Sequence, residues 1–377
     1  MKKMEHLRIA MLGHKRIPSR EGGVEIVVEE LSTRMAKLGH KVTCFNRSGH
    51  HIGGKEFDSG NISDYQGVKI KKVFTIDKKG LAAMTSSFFA AVKASFGNYD
   101  IVHFHAEGSC AMIWIPKLFR KKCIVTIHGL DWQRSKWGGF ATKYIKFGEK
   151  CAVKYADEII VLSQSVKQYF LDNYKRETKF IPNGIEKMPV ITAEKINKKW
   201  ALEKDSYILY LGRVVPEKGI DYLIDAFKNL KTNKKLVIAG GGSDTETYVQ
   251  QLTSRTKDDE RIVFTGFVQG DIMYELYSNA YIYVLPSDLE GMPLSLLEAM
   301  SYGNCCVTSD ISECAEVVED KAVLFKQGDI NDLKDKLQML CDYEDVVAKY
   351  KTEAADFICR KYNWNDVVTQ TLQLYEK

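Results

Sequence analysis

Tyr281-Ile-Tyr-Val-Leu285 followed by Ser287-Asp-Leu-Glu-Gly-Met-Pro-Leu-Ser-Leu-Leu-Glu-Ala-Met300 reads as one strand, loop and helix. The first run is a buried strand and Ser287 to Gly291 its exit loop. Pro293 reads as the first residue of the helix, where a missing N–H costs nothing. Glu290 then lies on the loop and Glu298 inside the helix. Leu294, Leu296, Leu297, Ala299 and Met300 make that helix apolar nearly all round, so it is expected to be buried with Glu298 as its only charge. Buried carboxylates need partners. The mate of Glu298 is either a Lys or Arg or a ligand hydroxyl. A strand end, a glycine loop and a helix N-terminus in one place, where α/β sheets bind ligands, favour the ligand.

Outward from this unit, strands alternate with helices along the whole chain, the signature of parallel sheets covered on both faces. The first half offers strands at Ile9–Leu12, Val42–Phe45, Ile101–His105, Ile124–Ile127 and Glu158–Leu162, with a first helix over about Val24–Leu38 that stops at Gly39. The second half restarts with Ile208–Leu211, Leu236–Ala239, Ile262–Phe264, Tyr281–Leu285 and Cys306–Thr308. The turn-forming Pro182, Asn183 and Gly184 mark the linker. The expected architecture is α/β, two doubly wound Rossmann-like domains whose parallel sheets face each other across a cleft: 1–184, 185–360, and a terminal helix over 361–377 that could pack on either domain.

Composition fits an ordinary enzyme of two domains: 377 residues, 45% hydrophobic and 27% charged. Nine cysteines without C-x-x-C spacing imply reduced thiols, and Met1–Arg8 is too charged for a signal peptide, so the cytoplasm is expected. The longest uncharged run, Gly80 to Val92, is too short to cross a bilayer. The net charge of +5 is modest but clustered, at Lys15, Arg16 and Arg20 and at Lys117 with Arg120–Lys122 after Trp114-Ile115. Such clusters read either as solvated faces or as a surface that holds a protein on anionic lipid at the inner membrane face. No recognised motif accompanies the charge to suggest nucleic acid.

Arg213 and Lys218 follow the strand Ile208–Leu211, and two cations at the end of a parallel strand suit a diphosphate. The competing arrangement pairs Arg213 with Glu217 and leaves Lys218 exposed. Gly22 and Gly23 precede a helix N-terminus and permit close approach of phosphate, although the G-x-G-x-x-G spacing is absent. Gly240–Gly242 ends another strand and is equally ambiguous. His103 and His105 face the same way along a strand but lack a third ligand at metal spacing. His128, before Gly129, is placed either to donate to substrate or as a satisfied structural histidine. With no P-loop, H-E-x-x-H, G-x-S-x-G or D-x-D at a strand end, cations and backbone N–H groups are expected to bind the diphosphate, with no metal and no cofactor.

These residues resemble the retaining glycosyltransferases of family 4, which have the GT-B fold. The resemblance rests on Glu290-Gly-Met-Pro293 and Leu297-Glu-Ala-Met300, on Gly212-Arg-Val-Val-Pro-Glu-Lys-Gly219, on Gly22-Gly23, Ile181-Pro-Asn-Gly184 and Thr126-Ile-His-Gly129. It implies that Glu298 binds the ribose of a nucleotide-diphosphate sugar and Glu290 the sugar hydroxyls, aided by the backbone N–H groups available in the stretch Gly291 to Leu294, which includes Met292 and Pro293. Arg213 and Lys218 would hold the diphosphate, Gly22 and Gly23 would approach it, and Gly266, Phe267 and Val268 would lie against the base. The implied reaction is a front-face transfer with retention, the leaving phosphate accepting the acceptor's proton. The segment Gly13–Glu25 is also similar to that of bacterial capsule and cell-wall polysaccharide transferases, which implies a glycan or polyprenyl-diphosphate-linked acceptor and a UDP or dTDP sugar donor. Acceptor choice is expected in the loop Gly49–Tyr65. The rival readings are a nucleotide-sugar epimerase of the same architecture and a non-catalytic sugar-nucleotide sensor.

Overall fold

The alternation of apolar runs and helices builds two separate parallel sheets. The chain is described here by a computed structural model over residues 6–49, 62–78, 80–134, 138–242 and 245–376. Residues 50–61, most of the loop assigned to acceptor choice, lie outside the described residues. One unit comprises Met1–Asn183 with Trp364–Lys377, the other Gly184–Asn363.

The first sheet contains β1 (Arg8–Leu12), β2 (Lys41–Arg47), β3 (Asp64–Tyr65), β4 (Val68–Val73), β5 (Ile101–His105), β6 (Lys122–Ile127), β7 (Glu158–Val161) and β8 (Lys179–Phe180). Their order is β3-β4-β2-β1-β5-β6-β7-β8, parallel except where β3 meets β4. Central β1 and β5 are covered on both faces and are buried almost without interruption, β1 by an apolar run and β5 with His103 and His105 among its buried side chains. The pattern reading has no strand at β4, because Val68-Lys-Ile-Lys-Lys-Val73 is rich in lysine. The strand lies near the sheet edge, so Val68, Ile70 and Val73 turn inward while Lys69 and Lys72 stay in water.

Three helices of this unit cover the sheet in different ways. The helix Gly23–Lys37 buries Val27, Val28, Leu31 and Met35 as an amphipathic stripe. The helix Leu81–Phe96 is partly reversed: its buried side is Ser86, Ser87, Ala90, Ala91, Ala94 and Ser95, with Phe89 packed against the core beside them, while Phe88 and Phe96 lie outside. The closing helix Trp364–Glu376 belongs to this first unit. It buries Trp364, Val367, Leu372 and Tyr375, and Lys122 Nζ donates to the Tyr375 carbonyl at 2.8 Å.

The second sheet contains β9 (Tyr207–Leu211), β10 (Lys235–Ala239), β11 (Ile262–Gly266), β12 (Ile282–Leu285), β13 (Cys305–Ser309) and β14 (Val323–Phe325), in the order β11-β10-β9-β12-β13-β14, all parallel. Counted within the unit this is 3-2-1-4-5-6, the doubly wound Rossmann order, whose direction reverses between β9 and β12. Three-residue β14 is too short to carry a pattern that the sequence alone reveals. Tyrosines fill this core without stranding their hydroxyls: Tyr207 donates to Leu276 O at 2.7 Å and Tyr283 to Leu211 O at 3.2 Å. Within this unit Ile185 bridges Asn363 and its N–H donates to Tyr362 O at 3.0 Å. Both ends of the unit are thereby tied side by side.

Candidate active site

The reversal point of the second sheet gathers the groups that the sequence marked. After β9 the chain runs through Arg213 into a 3-10 turn, Pro216–Lys218, and then into the helix Ile220–Lys228. Gly219 joins turn to helix at φ +62, and a Cβ there would sit 2.1 Å from the Pro286 carbonyl oxygen. Only glycine meets both demands. The loop after β9 therefore lies directly on the loop after β12, and Asp288 N–H donates to Glu217 O at 3.0 Å between them.

That contact brings Lys218 and Glu290 together, 72 residues apart in sequence, as an ion pair whose side chains are 12% and 8% exposed. Lys218 is therefore not exposed, as the competing arrangement had it, but half of an ion pair. Ser287 Oγ donates to the same Glu290 oxygen at 2.7 Å, and Ser309 Oγ holds the Ser287 carbonyl at 2.5 Å. Asp288 is fixed by Tyr222 OH at 3.0 Å and Gln327 Nε2 at 3.2 Å. Under the β9 loop, Tyr210 OH donates to Arg213 O at 2.7 Å, and burial together with the Glu290 charge raises that phenol well above its ordinary value. It stays a neutral donor.

The helix predicted from Pro293 runs from Leu294 to Ser301. Pro293 itself is extended at ψ 95 and stands one residue before it, so among Gly291, Met292, Pro293 and Leu294 the proline contributes no N–H. The helix is buried as expected, and Glu298 lies on its half-buried side. Its oxygen accepts from Tyr277 OH at 3.1 Å, a neutral phenol where the sequence offered a cation or a ligand. Tyr277 in turn stacks on Tyr302 with centroids 5.3 Å apart, and burial, then the Glu298 charge, pushes its pKa far up. Gly266, Phe267 and Val268 follow β11, two strands from β9, about 10 Å to the side.

Sequence reasoning took Glu217 only as a mate for Arg213. In the structure it is 8% exposed, and neither carboxylate oxygen has a hydrogen-bond partner. The one sequence signal was its position between Pro216 and Lys218 at a strand end. Tyr277 was missed altogether, because it lies on a different helix, Asp271–Asn279, at no telling spacing. A concavity of about 610 Å³ lined by Asp221, Tyr248, Leu252 and Arg255 belongs to the helix layer and contains none of these strand-end groups.

In the first unit the sheet order reverses between β1 and β5, and there the side chains are mainly histidine. Gly13 leaves β1 at φ +105, and a Cβ would sit 2.1 Å from the His105 carbonyl oxygen. His128 Nε2 lies 3.1 Å from His105 Nδ1, and His105 stacks on His103 at 4.3 Å. His103 spans Thr126 Oγ1 at 2.8 Å and Tyr375 OH at 2.5 Å. Burial pushes His128 down to about 4, against partial support from Asp131 and Glu25, and takes His103 to about 3. These imidazoles are neutral near pH 7. His128 is 9% exposed, and among the described residues no group of three or more His, Cys, Asp or Glu could hold a metal ion.

Gly22 is the residue before the helix Gly23–Lys37, and a Cβ on it would meet Glu25 Oε2 at 2.6 Å. Glu25 folds back to accept from Lys15 N–H at 2.8 Å. Burial works to raise its carboxyl, and the Lys15 charge, that N–H and Arg47 outweigh it, leaving Glu25 below the usual range. His14 is likewise consumed within the loop, 3.0 Å from Asn46 Oδ1. The glycines thus shape a loop that is held by its own side chains.

A model of glycosyltransferase family 4 matches residues 21–187, and a model of glycosyl transferases group 1 matches residues 192–357. An uncharacterized glycosyltransferase of Methanocaldococcus jannaschii, MJ1607, is 25% identical over 98% of each chain. Among solved structures, sucrose-phosphate synthase from Thermosynechococcus elongatus superposes with a TM-score of 0.81 at 21% identity over 98% of each chain. Anabaena HepE in complex with UDP-glucose gives 0.80 at 17% identity over 98% of this chain and 100% of that one. With both halves matched in order and a relative spanning nearly the full length, the chain belongs to the group 1 and family 4 superfamily of GT-B glycosyltransferases.

Proposed function

We propose that this glycosyltransferase moves a hexose or deoxyhexose, with retention, from a UDP or dTDP sugar to a glycan or lipid-linked glycan in bacterial surface polysaccharide synthesis. The observation that carries the donor reading is the meeting of Lys218 and Glu290 at the β9/β12 reversal, with Glu298 on the adjoining helix. A cation there suits the diphosphate and two carboxylates suit sugar and ribose hydroxyls. The UDP-glucose held by the structurally similar HepE supports a nucleotide-sugar donor.

In this reading the leaving diphosphate gains negative charge as the anomeric bond breaks, and Lys218 and Arg213 stabilise that charge more in the transition state than in the ground state. The ion pair to Glu290 holds Lys218 in place before the donor arrives, so little reorganisation remains. Glu290 accepts hydrogen bonds from sugar hydroxyls, and the leaving phosphate takes the acceptor's proton, so no enzyme nucleophile is needed. Gly266–Val268, displaced by two strands, suits the base end of the donor. Because the cations carry the charge, the reaction proceeds without a divalent metal.

Thermal melts with UDP, dTDP, GDP and ADP and their sugar conjugates, with magnesium or with a chelator, test this directly. Ligand at about 100 times its Kd stabilises by about 2.7 kcal/mol. A base-selective shift that survives chelation is the expected result; no shift with any nucleotide would sink the reading. Conversion of the donor sugar without any acceptor would point to an epimerase.

A further inference from the structure

The helix Leu81–Phe96 is built inside out. Small serines and alanines face the sheet, while Leu81 and Phe88 are 42% exposed and Phe96 is 74% exposed. Leu81, Phe88 and Phe96 fall at helical spacing, so they form one outward stripe. The stripe continues beyond the helix. Phe96 meets Phe119 edge to face at 4.8 Å, and next to it Trp114 and Leu118 are 40% and 71% exposed. At its other end Phe88 and Phe74 both pack edge-on against Phe89 at 5.3 Å. Exposed aromatics so connected are unusual on a soluble surface and mark a place of contact.

The surrounding charge says what kind of contact. Residues 66–122, which carry this face, contain ten lysines and arginines and three acidic residues, against a net +5 for all 377 residues, so the rest of the chain is slightly acidic. Of the three, Glu107 is fully buried and Asp100 is bound to Arg8. Of the cations, Lys117 is paired with Asp157, and Lys121 and Lys122 are bound to backbone carbonyls, which leaves the exposed Lys93 and Arg120 to carry the charge beside the rings. The helix Leu81–Phe96 and the segment Trp114–Lys122 have no acidic residue at all. Lys93 and Arg120 are exposed, one on each of the two. A second copy docked face to face would set the same basic rims against each other, at an electrostatic cost. An anionic bilayer accepts both the rings and the cations.

We propose that the outward face of Leu81–Phe96, together with Trp114–Arg120, docks this protein on an anionic lipid surface. The aromatic and leucine side chains enter the boundary between headgroups and acyl chains, and the lysines and arginines rest among the phosphates. No helix among the described residues is long and apolar enough to cross a membrane. The proposal names the surface behind a lipid-linked acceptor, but it stands apart from the donor reading. Either can fail without the other.

Flotation of the full chain with vesicles tests it: phosphatidylcholine alone against phosphatidylcholine with phosphatidylglycerol, in low and in high salt. The wild type is expected to float with the anionic vesicles only, and less in high salt. Lys93→Glu with Arg120→Glu should lower partition by roughly fivefold or more per charge. Phe88→Ser with Phe96→Ser should lower it by roughly tenfold or more. Both variants should keep the wild-type melting temperature and cooperativity in the absence of ligand, which shows intact folding. Equal flotation with neutral vesicles, or wild-type flotation by the charge-reversed variant, overturns the proposal. So does a self-association in light scattering that the phenylalanine variant abolishes, if no vesicle binding accompanies it.

Discussion

The two sheets reverse direction at equivalent points, β9/β12 in one unit and β1/β5 in the other, and fill those points with opposite chemistry. The second unit places Lys218, Glu290 and the unsatisfied Glu217 on two loops pressed together by Gly219, with Glu298 on the helix that follows. The first unit places neutral histidines that bond one another, Thr126 and Tyr375. Topology thus determines where a site forms, but the side chains decide whether it answers to charge. The charged point is suited to a diphosphate and hydroxyls, the neutral one to orienting an uncharged group without adding a cation.

Breaking the charged point should give the largest effect. Glu290→Gln keeps the shape and removes the ion pair with Lys218, so transfer is expected to fall by about three orders of magnitude. The melting shift with nucleotide should stay near wild type, and unchanged transfer in steady-state assays would remove Glu290 from the site. The neutral point should break with acid. The unfolded chain protonates histidine near 6.5, while native His128 resists to about 4, so the unfolded state binds more protons in that window. Stability is therefore complete above about 6.5 and falls as pH drops toward 4, by on the order of 3 kcal/mol for a histidine so placed. Four of the five tryptophans, all but Trp200, belong to the first unit, so tryptophan fluorescence against pH reports it, and His128→Asn should flatten the slope.

Two smaller effects sharpen the contrast. Glu298→Ala removes a charged acceptor and leaves Tyr277 OH without its partner; nucleotide binding by calorimetry should weaken by about 1.5–3 kcal/mol. Equal loss in Glu290→Gln and Glu298→Ala would erase the division of labour between sugar and nucleotide. Glu217→Gln takes away a buried charge that no hydrogen bond satisfies, so the unliganded protein should melt higher, by about 1 kcal/mol in stability. The same variant should bind donor less tightly if the carboxylate is kept for a ligand. A rise in melting temperature with unchanged donor affinity would make Glu217 a structural cost and nothing more.

The strongly periodic parts of the fold were legible before the structure. Central strands such as β1, β9 and β12 are apolar because both faces are covered, and that leaves a pattern. Strand β4, next to the sheet edge, hid behind its lysines and β14 behind its brevity. Within the site, the strand-end positions of Lys218, Glu290 and Glu298 could be read from the motifs, but their partners could not. Tyr277 and Ser309 reach the two glutamates' surroundings from other elements, and no spacing announces them.

The sequence by itself determined the two α/β units, the loops that carry the candidate residues and the family they resemble, because hydrophobic period and turn chemistry are local properties of the chain. Tertiary structure decided that Lys218 pairs with Glu290, that a phenol holds Glu298, that the closing helix belongs to the first unit, and that Leu81–Phe96 shows Phe88 and Phe96 to the outside. These outcomes depend on which surfaces meet across long separations. A helix carrying Ser, Ala and Phe in one segment has two faces that can pack. The close approach allowed by small residues against the sheet selected one, and left the other for something outside the chain.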